Sequence, residues 1–248
     1  MLKDKLKKFI VPQFGKKFLI MITGIFFMGF FLSFLIEISL GTDPYTFQNS
    51  VISRRIGWQF GTWQLFLNII LLVIMAVFNR HLIGVGTIAN MVLIGYVSDF
   101  FRWVWGKIFP KLTEICTDPS LLHAKIILFA VTLLLFVISA AFYINADMGL
   151  SPYDGLAYII GHKLKKIPQA VSRILYDLSV IGIGLLASIG SGFDIKTALI
   201  GSFAMAFTLG PAIQIVGAFV NKKILRVQPE QRPDPQEKQQ NLTQNLSD

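Results

Sequence analysis

Long apolar runs separated by short polar breaks dominate the chain between residues 18 and 220. About 20 helical residues, at ~1.5 Å each, cross the hydrocarbon core of a bilayer, and six runs reach or approach that length. They cover residues 18–40, 63–78, 84–104, 126–146, 171–188 and 199–220. The pattern predicts an all-α integral membrane protein with six transmembrane helices.

Two of the breaks share one motif. GTDPYT at residues 41–46 follows the first run, and GLSPYD at residues 149–154 follows the fourth. Glycine commonly ends a helix and proline suits the first helical position, so each motif predicts the end of one helix and the start of another. Residues 45–60 are too polar to cross a bilayer, and they predict a half-helix that lies at the interface or dips into it. A second half-helix is predicted to end near His162.

The two motifs belong to an internal duplication. Gly41, Pro44 and Tyr45 recur 108 positions later, and GTIA at residues 86–89 recurs as GSFA at 201–204, 115 positions later. A loop between the fifth and sixth runs can absorb the seven additional positions. Because each copy has three spans, an odd number, the second copy is predicted to have the opposite orientation in the membrane. Many secondary transporters are built from such inverted-topology repeats.

These elements divide the chain into five segments. They are a basic cytoplasmic leader (1–17), the first repeat (18–105), a connecting loop (106–125), the second repeat (126–220) and a cytoplasmic tail (221–248). The leader is either an amphipathic helix on an anionic leaflet or a solvated flank of the first span. The tail is poor in large apolar residues, which predicts disorder.

Composition excludes several classes of protein. With 54% hydrophobic residues and only 15% charged residues, the chain is too apolar for an ordinary soluble domain. Its net charge of +9 does not indicate a nucleic-acid partner, because the lysines and arginines lie at the ends of apolar runs. One cysteine and three scattered histidines have no metal-ligand spacing. Neither a metal nor another cofactor is predicted.

The distribution of basic residues predicts the orientation. With the N-terminus inside the cell, the inner flanks of the six spans hold 13 lysines and arginines and the outer flanks hold 7. Cytoplasmic loops usually carry the excess of positive charge. Both termini are therefore predicted to be cytoplasmic.

Polar side chains within or next to the spans are the candidates for a solute site, because such groups usually face a bundle interior or a water-filled cavity. Most occupy matching positions in the two repeats, as expected for a cavity between them. The candidates are Glu37 with Asn145, Asp99 with Gln214, Asn68 with Asp177 one position out of register, Asp147 in the place of Ser39, and the helix-start residues Asp43 and Ser151.

A purely structural interpretation of the same residues is also open. Glu37 and Asp147 can reach the interface from helix ends, Arg173 can neutralise Asp177 one turn away, and Asn68 can bond a neighbouring helix. The half-helix starts offer free amides and a positive dipole to an anionic group. They can equally be capped by Asp43 and Ser151, and Asp43 would oppose an anion.

The duplicated GLSPYD motif and the Gly-Thr and Gly-Ser helix starts at Gly86 and Gly201 resemble those of bacterial integral membrane proteins of the YczE/YitT type. The resemblance covers about residues 18–220. It implies a multi-pass protein of the bacterial cytoplasmic membrane. It implies no activity and transfers no functional residues.

Three functions fit these observations. The first is a permease, either a monomer or a homodimer, that passes a small solute through a cavity between the repeats. The second is a non-transporting accessory or scaffold protein for a biosynthetic or secretory complex. The third is an intramembrane enzyme acting on lipids, for which Glu37, Asp147 and Asp154 supply carboxylates. No activated nucleophile or catalytic motif accompanies them, so the chain is not predicted to be an enzyme.

Overall fold

The computed structural model describes residues 14–110, 116, 118–164, 167–192 and 195–222. This part of the chain forms eight α-helices and no strand. The helices are α1 (Phe14–Ile38), α2 (Pro44–Ile56), α3 (Phe60–Asn79), α4 (Val85–Ile108), α5 (Leu122–Asn145), α6 (Pro152–Lys163), α7 (Gln169–Ser188) and α8 (Lys196–Val220). Short 3-10 turns precede α4 and α5.

Five of these helices are long and apolar enough to cross a membrane, namely α1, α3, α5, α7 and α8. The sixth predicted span corresponds to α4, which has 24 residues but is not among the five. Asn90, Asp99 and Arg102 lower the apolarity of α4. The half-helices predicted after the two breaks are present as α2 and α6.

Both halves of the chain have the same order of one long, one short and two long helices. In the α1 set (α1, α4, α5 and α8), α1 packs against α5, and each of them packs against the last helix of its own half. In the α2 set (α2, α3, α6 and α7), α2 and α6 each pack against both α3 and α7. The two sets meet where α3 contacts α4 and where α8 contacts α7 and α2.

Backbone contacts hold the first break against the second half. A Cβ atom on Gly41 would lie 2.6 Å from the Cα of Gly201 in α8. The neighbouring Thr42 N–H donates to the Ser202 hydroxyl at 3.0 Å. Gly41 also has φ of +145°, a conformation that residues with a side chain rarely adopt.

The second break makes the corresponding contact with the first half. A Cβ atom on Gly149 would lie 2.6 Å from the Gly84 nitrogen, and the Gly86 N–H donates to the Met148 carbonyl at 2.7 Å. Each break is therefore packed against the start of the last helix of the other half. Because a side chain has no room at these contacts, glycine is required there.

The short helices lie along long helices of the opposite half. On α2, Phe47 packs against Gly184 of α7, and Arg55 Nη1 donates to the carbonyls of Ala187 at 2.7 Å and Ile189 at 2.6 Å. The C-terminal end of α2 therefore lies beside the C-terminal end of α7.

The packing of α6 on α3 follows the same plan. Met75 fills the space over Gly155, and Lys163 Nζ lies 3.6 Å from the centroid of the Phe78 ring. The C-terminal end of α6 thus lies beside the C-terminal end of α3. The N-terminal ends of both short helices lie near the middle of the long helices.

Several helices extend beyond the predicted spans into the flanking segments. The first helix begins at Phe14 and so includes Lys16 and Lys17 of the predicted leader. Helix α4 continues to Ile108 and α5 begins at Leu122, which shortens the connecting segment from both sides. At these ends the helix continues beyond its apolar run, into positions that are occupied by lysine and tryptophan. Most of the predicted leader and tail lies outside the described residues.

Candidate functional site

The two short helices meet through their tyrosines. Tyr45 is the second residue of α2 and Tyr153 is the second residue of α6. Their rings stack with centroids 4.5 Å apart and 25° between the planes. Both are buried, in a cluster with Leu71 and Val180. Such a pair contributes about 0.5–1.5 kcal/mol beyond the area it buries, so the stack joins the two halves at their centre.

Each tyrosine hydroxyl donates to a buried polar side chain of its own half. Tyr45 donates to Asn68 Oδ1 at 2.7 Å, and Tyr153 donates to Asp177 Oδ1 at 2.5 Å. Helices α3 and α7 both have 20 residues, and both acceptors are the ninth residue of their helix. The structure therefore matches Asn68 with Asp177 directly, although the sequence match is one position out of register.

Arg173 connects two carboxylates around Tyr153. Its Nε lies 3.2 Å from Asp177 Oδ2, its Nη1 lies 2.8 Å from Asp154 Oδ1, and its guanidinium lies 5.2 Å from the centroid of the Tyr153 ring. The Ser151 hydroxyl donates to Asp154 Oδ2 at 2.6 Å. One guanidinium is therefore shared by two carboxylates. The contact between Arg173 and Asp177, which the purely structural interpretation of the sequence predicts, is present.

The first half has neutral residues at the same positions. Thr46 is the third residue of α2, as Asp154 is of α6, and Gln64 is the fifth residue of α3, as Arg173 is of α7. The neutral side of the site comprises Thr46, Gln64 and Asn68, and the charged side comprises Asp154, Arg173 and Asp177. Charged side chains therefore surround one tyrosine of the pair, and neutral side chains occupy the same positions around the other.

The caps of the short helices are as the sequence predicts. Asp43 Oδ1 accepts a hydrogen bond from the Thr46 N–H at 3.0 Å, and the Ser151 hydroxyl accepts one from the Asp154 N–H at 3.1 Å. These bonds use backbone donors that an anion would otherwise bind. The carboxylate of Asp43 also opposes an anion at the start of α2.

Glu37 and Asp99 lie in a separate cluster. Arg102 of α4 donates to Glu37 of α1 at 2.8 Å, and Asp99 accepts from the Gly61 N–H at the start of α3 at 2.6 Å. Arg102 also lies 3.7 Å from Asp99. This cluster joins α1, α3 and α4, and so connects the two helix sets.

The other candidates are dispersed. Asn145, which matches Glu37, donates to the Gly217 carbonyl at 2.9 Å. Gln214 is exposed on α8, and Asp147 is half-buried in the second break with φ of +50°. The structure therefore brings Asn68 and Asp177 together around the tyrosines, with Asp43 and Ser151 capping the adjoining helices. It does not bring Asp99 together with Gln214.

Sequence reasoning missed the centre of the site. Tyr45 and Tyr153 align the duplication but are not among the candidates from the sequence, because a tyrosine in a helix is usually a packing residue. Among the residues considered from the sequence, Arg173 appears only as a partner of Asp177. The duplicated Pro-Tyr dipeptide is the signal that could have identified the pair.

The apolar helices, with a polar network buried between them, define an integral membrane protein. The chain belongs to a family of unknown function (DUF6198), which it matches over residues 15–218.

Two relatives come from Bacillus subtilis strain 168. The uncharacterized membrane protein YczE is 26% identical over 207 residues, which cover 82% of this chain and 90% of the relative. The uncharacterized protein YyaS is 24% identical over 178 residues, which cover 68% of this chain and 85% of the relative. These matches confirm the resemblance to YczE-like membrane proteins. No solved structure matches the chain significantly.

Proposed function

We propose that this protein is a small-solute permease of the bacterial cytoplasmic membrane. The observation that carries the proposal is the meeting of α2 and α6 at the buried Tyr45–Tyr153 stack, with polar side chains on both sides of it. Polar groups placed among apolar helices are costly and usually face a pathway for ions or solutes. Transporters commonly bind solutes at such half-helix starts between repeats.

In this proposal α4 is the sixth transmembrane helix, and the halves are inverted repeats with both termini in the cytoplasm. The matched packing of the halves supports it, because α2 ends beside the end of α7 and α6 ends beside the end of α3. With three spans in each half, those two ends lie on opposite sides of the membrane. The tyrosine stack then lies between them, within the bilayer.

The two helix sets suggest how a permease would work. The α2 set carries the tyrosine stack, and it meets the α1 set through contacts between glycines. A Cβ atom on Gly95 would lie 2.7 Å from the Cα of Gly61, and the breaks make similar contacts. Glycine contacts of this kind let the backbones approach closely. A shift of one helix set against the other would also break the hydrogen bond from the Gly61 N–H to Asp99. Such a shift would open the site to each side in turn, without a cofactor or a covalent step.

An efflux experiment tests the proposal without requiring that the solute be identified first. Liposomes containing the purified protein are loaded with a bacterial metabolite extract, and the solutes that leave are identified by mass spectrometry. We expect at least one metabolite to leave faster than from liposomes with the Asp177→Asn variant. Asp118→Asn, the same chemical change at an exposed turn, is the matched control and should retain the efflux.

Equal efflux from wild-type, Asp177→Asn and protein-free liposomes would contradict the permease. Co-purification of a stoichiometric partner protein, combined with normal cellular function of the Asp177→Asn variant, would instead favour the accessory or scaffold function.

A further inference from the structure

The side chain of Asn49, on α2, is fully buried but has no hydrogen bond. Its relative exposure is 0%, and neither Oδ1 nor Nδ2 has a partner among the described residues. The Tyr45 hydroxyl lies close to it, but this hydroxyl donates its proton to Asn68. Buried polar groups in proteins are nearly always hydrogen-bonded, so an unpartnered carboxamide here needs an explanation.

A second unpartnered group, the side-chain oxygen of Gln64, lies at the same level on α3, where it faces Gly95 of α4. Helices α2 and α3 are joined by only three residues, 57–59, and such short connections join antiparallel neighbours. One turn along α2 from Tyr45 leads to Asn49, and one turn back along α3 from its partner Asn68 leads to Gln64. Gln64 is 4% exposed, and its Oε1 has no partner among the described residues.

The second half differs at these two positions. Ala157 takes the place of Asn49, and Arg173 takes the place of Gln64. Arg173 is bonded to two carboxylates, whereas the unpartnered atoms of Asn49 and Gln64 belong to the first half. The neutral side of the site therefore has hydrogen-bonding capacity that the protein does not use.

We propose that Asn49 and Gln64 bind the transported solute, and that this solute is a small uncharged molecule bearing hydroxyl or amide groups. The proposal rests on the permease function above. A carboxamide offers both a donor and an acceptor, which a hydroxyl or an amide can satisfy together. An anionic solute would require a free cation, and Arg173, the cation of the site, is already bound by Asp154 and Asp177. A cationic solute would require a carboxylate on the neutral side, and Thr46 and Asn68 supply none.

Stopped-flow light scattering on liposomes with the full-length protein tests the proposal, with glycerol and urea as probes. We expect both probes to enter these liposomes faster than protein-free ones. Asn49→Leu should reduce the protein-dependent rate about tenfold, as expected for the loss of one or two hydrogen bonds. Gln48→Leu, at the neighbouring buried residue whose Cα lies against Gly184 of α7, should retain the rate.

Thermal unfolding of the same variants separates binding from structure. If Asn49 is kept for a solute, Asn49→Leu should unfold at or above the wild-type temperature, because leucine removes an unsatisfied polar group. A lower unfolding temperature together with normal flux would overturn the inference. Flux of lactate or choline, but not of glycerol or urea, would overturn it and leave the permease intact. No flux of any of the four would overturn the inference, whereas the permease itself is overturned only if no metabolite leaves in the efflux experiment.

Discussion

Tyr45 and Tyr153 stack 4.5 Å apart although 108 residues separate them in the chain. Each is also fixed through its hydroxyl, Tyr45 by Asn68 and Tyr153 by Asp177. The stack thus links the two short helices to each other and to the long helices α3 and α7. A change at either hydroxyl should affect both the stability of the protein and the site.

The two hydroxyls are expected to differ in importance. Tyr153→Phe removes a hydrogen bond to a carboxylate and should lower the free energy of unfolding by about 1.5–3 kcal/mol. Tyr45→Phe removes a bond to a neutral amide, so its cost should be about 0.5–1.5 kcal/mol. Both variants keep the aromatic ring and the stack. Unfolding in detergent micelles, followed by tryptophan fluorescence, measures the difference.

Tyr158→Phe is a suitable control for these variants, because Tyr158 lies on the same helix but its ring stacks on His162, away from the tyrosine pair. It should be close to wild type. Equal costs for Tyr45→Phe and Tyr153→Phe would mean that the charge of Asp177 does not strengthen its bond to Tyr153.

The stability that the charged side of the site contributes should require Asp154, Arg173 and Asp177 together. Arg173→Gln leaves Asp154 and Asp177 without their cation, and should destabilise the protein by about 1–3 kcal/mol. The lower part of this range is expected because the side chains of Arg173 and Asp154 are 37% and 34% exposed. The triple variant Asp154→Thr, Arg173→Gln, Asp177→Asn gives the second half the residues of the first.

That triple variant should recover most of the stability that Arg173→Gln loses, since it leaves no unpaired charge. The measurement is the unfolding midpoint in denaturant. A triple variant less stable than Arg173→Gln would show that the neutral arrangement of the first half cannot be transferred to the second.

The glycine of the second break is expected to be irreplaceable. Gly149 has φ of +115°, and a Cβ atom there would lie 2.5 Å from Thr87 Oγ1 and 2.6 Å from the Gly84 nitrogen. Gly149→Ala should therefore cost more than the about 1–3 kcal/mol of backbone strain alone. Gly182→Ala is the matched control, because that helical glycine has no neighbour within 4 Å and alanine favours helices. The unfolding temperature should fall for Gly149→Ala, and it should rise or stay unchanged for Gly182→Ala.

The sequence was sufficient to predict the helices and both breaks, because these depend on local patterns. Apolar runs, proline starts and the 108-residue spacing can be seen in the chain itself, whatever each helix packs against. The unpartnered carboxamide of Asn49 and the unpartnered side-chain oxygen of Gln64 were not predictable, because the matching positions of the second half hold alanine and arginine. A search for matched polar pairs passes over such positions.

The candidate cavity residues also show what matched positions in a sequence can and cannot predict. Matched positions indicated Asn68 and Asp177 correctly as neighbours of the repeat interface, but also suggested Asp99 and Gln214 as a pair. Asp99 instead accepts from the start of α3, while Gln214 is exposed on α8. A match in sequence gives equivalent positions in two repeats. It does not give the distance between them, which depends on how the repeats pack.

The proposed inversion of the repeats predicts which helix ends share a side of the membrane. With Cys116 replaced by serine, single cysteines at Trp58 and His162 would mark the ends of α2 and α6, where both native residues are exposed. An impermeant maleimide added to intact cells should label the cysteine at Trp58, at the outer end. It should label the cysteine at His162 only in inside-out vesicles.

A cysteine at Asn79 provides the internal control for this experiment. Because Lys163 lies 3.6 Å from the ring of Phe78, the end of α3 and the end of α6 must lie on one side of the membrane whatever the topology. Asn79 and His162 should therefore react together. If Trp58 reacts with them as well, the halves are not inverted, and α2 and α6 cannot approach the tyrosine stack from opposite sides. The pathway proposed between them would then have both of its mouths on the same face.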